Sequence, residues 1–426
     1  MPRSIRPLVL LALAGVVATA ACANGSGDAE ARAQGSFDDA PRFVAEPGLR
    51  IGNVDDPDLG FSRVGGVAVA PDGRVFVVEG QDLEVRVFDP EGTLIGRMGR
   101  RGEGPGEFGN SPRIGLVGDT LWAYEAFADR LSLFRTDGTL IHTRRMEIET
   151  IPIGNGIGTI MPAGVDGAGR LVGALSGVRY QPDAETSDAR PDSVPRWAYD
   201  WEGAPVEIVG WDPGISPRIS PPPGYESDFR NVEVDGRRYS VPPPPSSLPL
   251  WSQTGDGVFI LEAPAAVAAD RGRFTVTHVS VRLDTIYRSE FDYTPEPWTS
   301  DALDAIAESR AKSGSAFVLN GPQPDAPDNW ERIAARLREE MRFPEFRSPV
   351  DWLYPTEDGR VWVRASISPE PGTRRWLRLS TDGRIEGDLL LPESAQPRWS
   401  DGDDLWVSES DEFGIPWLVW YRLSLE

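Results

Sequence analysis

The sequence predicts an all-β fold, a six-bladed β-propeller of four-stranded antiparallel blades with a small helical and Pro-rich cap on one face. Three observations predict it: a strand phrase that returns six times, tight Asp-Gly turns between short β-rich runs, and a register that holds over 46 residues. Residues 64–108 contain three such runs, punctuated by Pro-Asp-Gly and Asp-Pro-Glu-Gly. These turns join antiparallel strands because glycine takes the positive φ they need. Val75-Phe76 is matched by Leu121-Trp122, and Gly92-Thr93-Leu94-Ile95 by Gly138-Thr139-Leu140-Ile141, both at an offset of 46. The second-strand phrase reads VFVVE at 75, LWAYE at 121, LVGAL at 171, VFILE at 258, VWVRA at 361 and LWVSE at 405. A period near 45 with four short strands per unit is the signature of a propeller.

The elements follow in chain order. Arg3 and Arg6 precede an apolar stretch, Leu8 to Ala18, which is too short for an ordinary transmembrane helix and reads as an export signal. Thr19-Ala20-Ala21-Cys22 follows, and Cys22 is the only cysteine of the chain. This segment resembles a bacterial lipobox, with Thr19 where that pattern prefers leucine. The resemblance implies a signal peptide over 1–21, lipidation of Cys22 and a chain held at the cell envelope. Ala23 lacks the Asp associated with inner-membrane retention, so the outer membrane or periplasm is the expected destination. Residues 22–40 are small and polar, and are expected to be a flexible tether. The propeller is expected over 41–426.

Within the blades, the column Phe76, Trp122, Val172, Phe259, Trp362 and Trp406 is expected to pack between neighbours, since each blade is sandwiched on both faces. Turns between the third and fourth strands fall at Gly203 and Gly383, while the fourth unit lacks the glycine near Asp284. The run Gly99-Arg100-Arg101-Gly102-Glu103-Gly104-Pro105-Gly106-Glu107-Phe108 resembles that of NHL-type six-bladed propellers, and especially the bacterial exported six-bladed propeller group. The resemblance covers roughly residues 48–426. It implies that the glycines let one blade's outer strand cross to the next blade, with Phe108 plugging the gap.

The last unit ends at Trp420 to Leu425, its third strand. The β-like run Gly48 to Gly52 is expected to pair with 417–423 and close the ring, removing an exposed edge. Three insertions, 176–195, 212–250 and 293–347, all fall on the face opposite the Asp-Gly turns. The second is Pro-rich, with Pro221 to Pro223 and Pro242 to Pro245. The third reads as helical: Asp328 with Glu331 suggests a capping box, Ile333, Leu337 and Met341 recur every four residues, and Pro344 stops the run. Ser300 is a candidate cap for a shorter helix through Lys312, with Leu303 and Ile306 inward. Long loops on a rigid scaffold are where binding concentrates, so this capped face is the expected interaction surface.

Composition mostly excludes chemistry. The net charge is −23, and Arg3 and Arg6 are the only charges before Cys22, so the remainder carries −25. That balance excludes nucleic acid as a partner. His142 and His278 are the only histidines, too few for a His-rich zinc site, and no Gly-x-Ser-x-Gly or Gly-Lys-Ser/Thr phrase is present. Glu79, Glu125, Glu262 and Glu409 share one blade position and are weak candidates for Ca²⁺. The second strand lies about 4.8 Å farther from the axis than the first, so the ring is too wide for one ion, and capping of nearby turns is the competing reading. Asp55, Asp56 and Asp58 form another acidic cluster that either holds Ca²⁺ or is an ordinary acidic turn. By register, Arg63, Arg113, Asp351 and Arg398 start the innermost strands and line the channel. They suit either an anionic ligand, such as a carboxylate or acidic sugar, or bridges between blades.

The expected role is an envelope-anchored, monomeric binding module for a protein, peptide or glycan, with no catalytic residues assigned. The alternative is a Ca²⁺-dependent hydrolase or lactonase, similar to six-bladed propellers that hold Ca²⁺ by acids and amides in the channel. The innermost segments 64–70, 111–117, 159–165, 249–255 and 396–400 offer few such groups.

Overall fold

The computed structural model describes residues 32–53, 55–56, 59–153, 156–180, 193–213, 231–241, 250–263, 266, 270–313, 327–341 and 343–426. Cys22, the signal-like segment 1–21, Asp58 and the proline runs 221–223 and 242–245 lie outside them. Six antiparallel sheets form the ring. Blade one runs Val64–Val69, Val75–Glu79, Glu84–Phe88 and Leu94–Met98; blade two runs Arg113–Val117, Thr120–Glu125, Arg130–Arg135 and Leu140–Arg145. Blade three is Gly156–Val165, Leu171–Tyr180, Ser193–Tyr199 and Pro205–Pro213, and blade four is Leu250–Gln253, Gly257–Glu262, Gly272–Ser280 and Thr285–Tyr293. Blade five is Val350–Pro355, Val361–Ala365, Thr373–Leu379 and Ile385–Pro392, while Gln396–Asp401, Asp404–Ser410 and Pro416–Leu425 begin blade six. Blade three also carries Glu149–Ile153 along its innermost strand, an addition that the repeat did not announce.

Burial between blades supplies the cohesion. Phe76, Trp122, Val172, Phe259, Trp362 and Trp406 are each at most 6% exposed. Phe76 packs with Leu121 and Phe134 of blade two, Phe259 with Val361 and Leu377 of blade five, and Trp406 with Val75 and Val77 of blade one. Each fully buried aromatic contributes about 1.5–3 kcal/mol relative to exposure. Phe108 is fully buried between blades one and two, against Phe134 at 6.1 Å. Gly99 adopts φ +71, and a Cβ there would stand 2.3 Å from the Phe108 ring, so this crossing requires glycine.

Closure occurs as the carboxy-terminal pattern demands. Phe43–Ile51 is the outer strand of blade six, antiparallel to Pro416–Leu425, with Ile51 opposite Leu418 and Phe43 opposite Leu425. The segment before it departs from expectation. Residues 32–40, read as tether, are ordered along the rim: Arg32–Ser36 adds a parallel fifth strand to blade four. Phe37 is then buried against Phe274, and its carbonyl accepts from Arg375 Nη2 at 2.9 Å. Asp38 accepts both the amide and the hydroxyl of Thr294. Arg42 pairs with the buried Asp388 of blade five at 3.0 Å, and Asp388 pairs also with Arg375 at 2.6 Å. The amino-terminal chain is thus a belt over the outer edges of blades four, five and six. Composition could not show this, because the belt is held by backbone pairing, one phenylalanine and ion pairs.

Two insertions meet in one small core. A hairpin, Asn231–Val234 with Arg237–Ser240, packs on the helices Ser300–Ser313 and Trp330–Glu340 through Val232, Tyr239, Ala311, Ile333 and Leu337. Leu303 and Ile306 face this core and Met341 is buried in it, as their spacing predicts. The caps differ. Asn329 rather than Asp328 precedes the second helix and makes no side-chain cap bond, so no capping box forms. For the first helix, Thr299 Oγ1 accepts from the Ala302 amide at 3.2 Å, while Ser300 lies inside the helix. Where the fourth unit lacks a turn glycine, Leu283 itself takes φ +64. No helix among the described residues is long and apolar enough to cross a membrane.

Candidate ligand cavity in the central channel

The innermost strands converge on a channel holding two adjoining lobes, of about 610 and 530 Å³. Small side chains make the space: Gly66 and Ala68 of blade one, Gly115 of blade two, and Ala163 and Gly164 of blade three. Both lobes reach the turns that join first to second strands, through Pro71, Gly118, Thr254 to Asp256 and Pro355 to Gly359. The cavity therefore occupies the channel half nearest the Asp-Gly turns. Neither lobe is lined by the hairpin or the helices of the cap.

Of the four residues assigned to the channel by register, the structure brings two to the cavity, Arg113 and Arg398. Arg113 is exposed and donates from Nη1 to the Pro162 carbonyl of blade three at 3.1 Å. Arg398 is half-buried and donates from Nε to Ser408 Oγ at 2.8 Å. Among the described residues no carboxylate pairs with Arg398, and burial pulls its guanidinium below the ordinary arginine range. The other two bond within their own blades. Arg63 donates to the Gly80 carbonyl at 2.9 Å, and Asp351 pairs with Arg364 at 2.6 Å.

Tyr354, Glu357 and Asp401 also line the larger lobe, and sequence reasoning missed all three. Burial pushes the Tyr354 phenol well up, with Glu357 reinforcing the shift and Arg398 opposing it, so this ring feels both charges. Glu357 is open to the cavity's own solvent yet enclosed by the surrounding strands. Burial raises its carboxyl above the ordinary range, and the negative charges of Asp401 and Asp358 add to the shift. The only sequence signal was position: Glu357 and Asp401 sit in or beside Asp-Gly turns. Acids there ordinarily bond their own backbone, as Asp72 does to the Arg74 amide at 3.1 Å. Glu357 and Asp401 instead face the lumen without a cationic partner among the described residues.

The candidate calcium ligands do not converge. Glu79 is buried and accepts the amides of Ser62 and Gln81 at 3.0 Å each. Glu125 accepts the Gly109 amide at 2.7 Å and pairs with Arg130 at 2.6 Å. Glu262 pairs with Arg288 at 3.4 Å, and Glu409 accepts from the Tyr421 hydroxyl at 2.5 Å. Each carboxylate ties its own blade to a loop or a neighbouring strand. Among the described residues no three His, Cys, Asp or Glu side chains come together as a metal site, Asp55 and Asp56 included. His142 lies on the outer strand of blade two, 3.4 Å from Glu202. His278 lines the smaller lobe, stacked on Phe259 at 4.1 Å, and its Nδ1 is buried without a partner.

Two buried arginines on third strands also bridge neighbouring blades, at positions that the repeat did not mark. Arg196 of blade three is fully buried, pairs with Asp212 at 2.7 Å, and donates to the Thr254 and Gly257 carbonyls of blade four. Arg378 of blade five reaches the Gly402 carbonyl and Asp403 of blade six. A guanidinium suits this task because five donors in a rigid fork satisfy several carbonyls at once.

No protein-family model and no curated protein matches the chain. Solved structures do. A Bacteroides fragilis protein provisionally named as exported is 11% identical, with a TM-score of 0.46 over 92% of this chain and 99% of its own. Virginiamycin B lyase of Staphylococcus aureus is 11% identical, with a TM-score of 0.38 over 90% of this chain and 100% of its own. A PQQ-bound aldose sugar dehydrogenase of Streptomyces coelicolor is 12% identical, with a TM-score of 0.36 over 90% and 100%. Likeness at this level says nothing of ligand or chemistry. The fold itself rests on the six blades described above.

Proposed function

We propose that this chain is an exported lipoprotein, of the NHL-type propeller kind, that binds small anionic molecules in its central channel. The observation that carries the binding reading is Arg398, an enclosed guanidinium with no acidic partner among the described residues, in one lumen with Arg113. A desolvated cation is costly to leave unmatched, and a ligand carboxylate would satisfy it with charge-assisted hydrogen bonds. The cavity, unlike the packed core of the cap, offers space for such a ligand. In a protein of net charge −23, cations at this point select the ligand rather than attract it from afar. Small carboxylates and acidic sugars are expected to raise the melting temperature of the native protein and to leave Arg113→Glu unchanged. Equal shifts in that variant would place binding elsewhere.

Anchoring at Cys22 rests on the basic start, the short apolar stretch and the lone cysteine after Ala20-Ala21. Cys22 stands ten positions before Arg32, where the belt begins, so the anchor would lie within about 35 Å of the rim of blade four. Cys22→Ser is expected to leave the membrane fraction; retention there would count against the lipid.

A further inference from the structure

In the larger lobe Arg398 makes no ion pair with Glu357 or Asp401, the two carboxylates that line it. Among the described residues Arg398 has no carboxylate within ion-pair distance, and neither Glu357 nor Asp401 has a cation within it, although all three line one lobe. Elsewhere the molecule pairs its charges closely: Arg196 with Asp212, Arg375 with Asp388 and Arg130 with Glu125 all lie within 2.7 Å. The separation is built by the strands. Arg398 and Asp401 stand three residues apart on Gln396–Asp401, about 10 Å along the strand. Glu357 follows the end of Val350–Pro355, on the same turn-side mouth as Asp401, with its amide bonded to the Ser400 carbonyl. Arg113 begins Arg113–Val117, far from that mouth. Arg398 therefore lies deeper in the lobe than the two carboxylates at the turn-side mouth, with Tyr354 under the influence of both signs and Arg113 toward the other end of the innermost strands.

We infer that the ligand is a zwitterion, a short peptide that enters carboxylate first, with its carboxylate on Arg398 and Arg113 and its ammonium held between Glu357 and Asp401. This rests on the channel reading above and deepens it. An anion alone would satisfy the deep end but leave two like-charged carboxylates facing each other across the mouth. That mutual repulsion is the local cause acting with burial to raise Glu357. A cation at the mouth relieves it. An extended tripeptide spans about 10 Å, which matches the offset between the two charged levels. Small wall residues, Gly66, Ala68, Gly115, Ala163 and Gly164, leave room for a backbone and little for bulky side chains.

Calorimetry on the whole protein tests this with four probes: triglycine, its N-acetyl form, its amide, and the doubly blocked form. Triglycine is expected to bind at least ~10-fold more tightly than either singly blocked probe, since each blocked end forfeits a charge-assisted contact. Arg398→Gln is expected to erase the preference for the free carboxylate. Glu357→Gln is expected to weaken only the preference for the free amine. Both variants are to be compared at matched melting temperature, and Arg398→Lys, which keeps the charge, is expected to restore part of the carboxylate preference. Equal affinity for triglycine and N-acetyl-triglycine overturns the zwitterion while leaving anion binding in the channel intact. No binding of triglycine at millimolar concentration, alongside thermal shifts with other carboxylates, overturns it as well. If neither peptides nor any carboxylate bind, the channel reading itself fails.

Discussion

His278 is a base kept neutral by its surroundings. It stacks on Phe259 and meets Tyr287 edge-on, and burial pushes its pKa down from 6.5 to about 4, with Asp256 opposing. Protonation therefore favours the unfolded chain. Above pH 6.5 both states carry neutral imidazole and nothing is lost. As the pH falls from 6.5 toward 4 the unfolded state takes up a proton that the folded state refuses, and stability drops by up to ~3 kcal/mol. His278→Phe keeps an aromatic ring in the stack and removes the titration. Its melting temperature is expected to fall less than that of the native protein between pH 7 and 4.5, while the carboxylates titrate alike in both. Parallel curves would mean that His278 is already protonated or solvated in the folded state. Leu283 belongs to the same scale. In the one turn where the glycine is missing, a leucine carries the left-handed conformation at a cost of about 1–2 kcal/mol, and the turn keeps its shape because the strands on either side dictate it.

Elements were legible from the sequence where burial has a period, and illegible where it does not. The second strand of every blade is flanked by two others and covered on both faces, so its residues must be apolar, and VFVVE at 75 announces Val75–Glu79. The helix Trp330–Glu340 was legible for the same reason, through Ile333 and Leu337. Its capping was not, since Asp328 and Asn329 are both good cap residues and only the path of the chain decides between them. The belt over 32–42 left no periodic trace, because a rim strand exposes one edge and most of its side chains. The candidate site was half legible. Register gave Arg113 and Arg398, but it could not tell a lumen-facing arginine from Arg63, whose guanidinium turns back to the Gly80 carbonyl. Glu357 and Asp401 were hidden in turns whose acids usually serve the backbone, and that they face one lumen emerges only once six turns are brought around one axis.

At the scale of the whole molecule, stability and site depend on the same closure. Each blade buries its faces only against neighbours, so a ring with one open joint exposes two faces and one strand edge at once. Phe43–Ile51 makes that joint, burying Phe43 against Trp362 and Trp376 and Ile51 against Leu418. Arg398 and Asp401 stand on the innermost strand of this same blade six, so the channel's charges keep their spacing only while the joint holds. The belt before it adds to the rim, but no blade depends on it to complete its four strands. Two shortened chains separate these contributions. A chain beginning at residue 41 loses Phe37 and the fifth strand of blade four, and is expected to melt cooperatively with stability lower by about 2–3 kcal/mol, the burial of one phenylalanine. A chain beginning at residue 52 also loses the closing strand, leaving Pro416–Leu425 as an open edge, and is expected to lose cooperative melting and to aggregate. Adding a separate peptide of residues 43–51 is expected to restore the transition, because the edge it would pair with is already formed by the strands inside it. If the chain from residue 52 melts as sharply and as high as the chain from residue 41, the ring holds together through its core alone, and closure by the amino terminus contributes shape rather than stability.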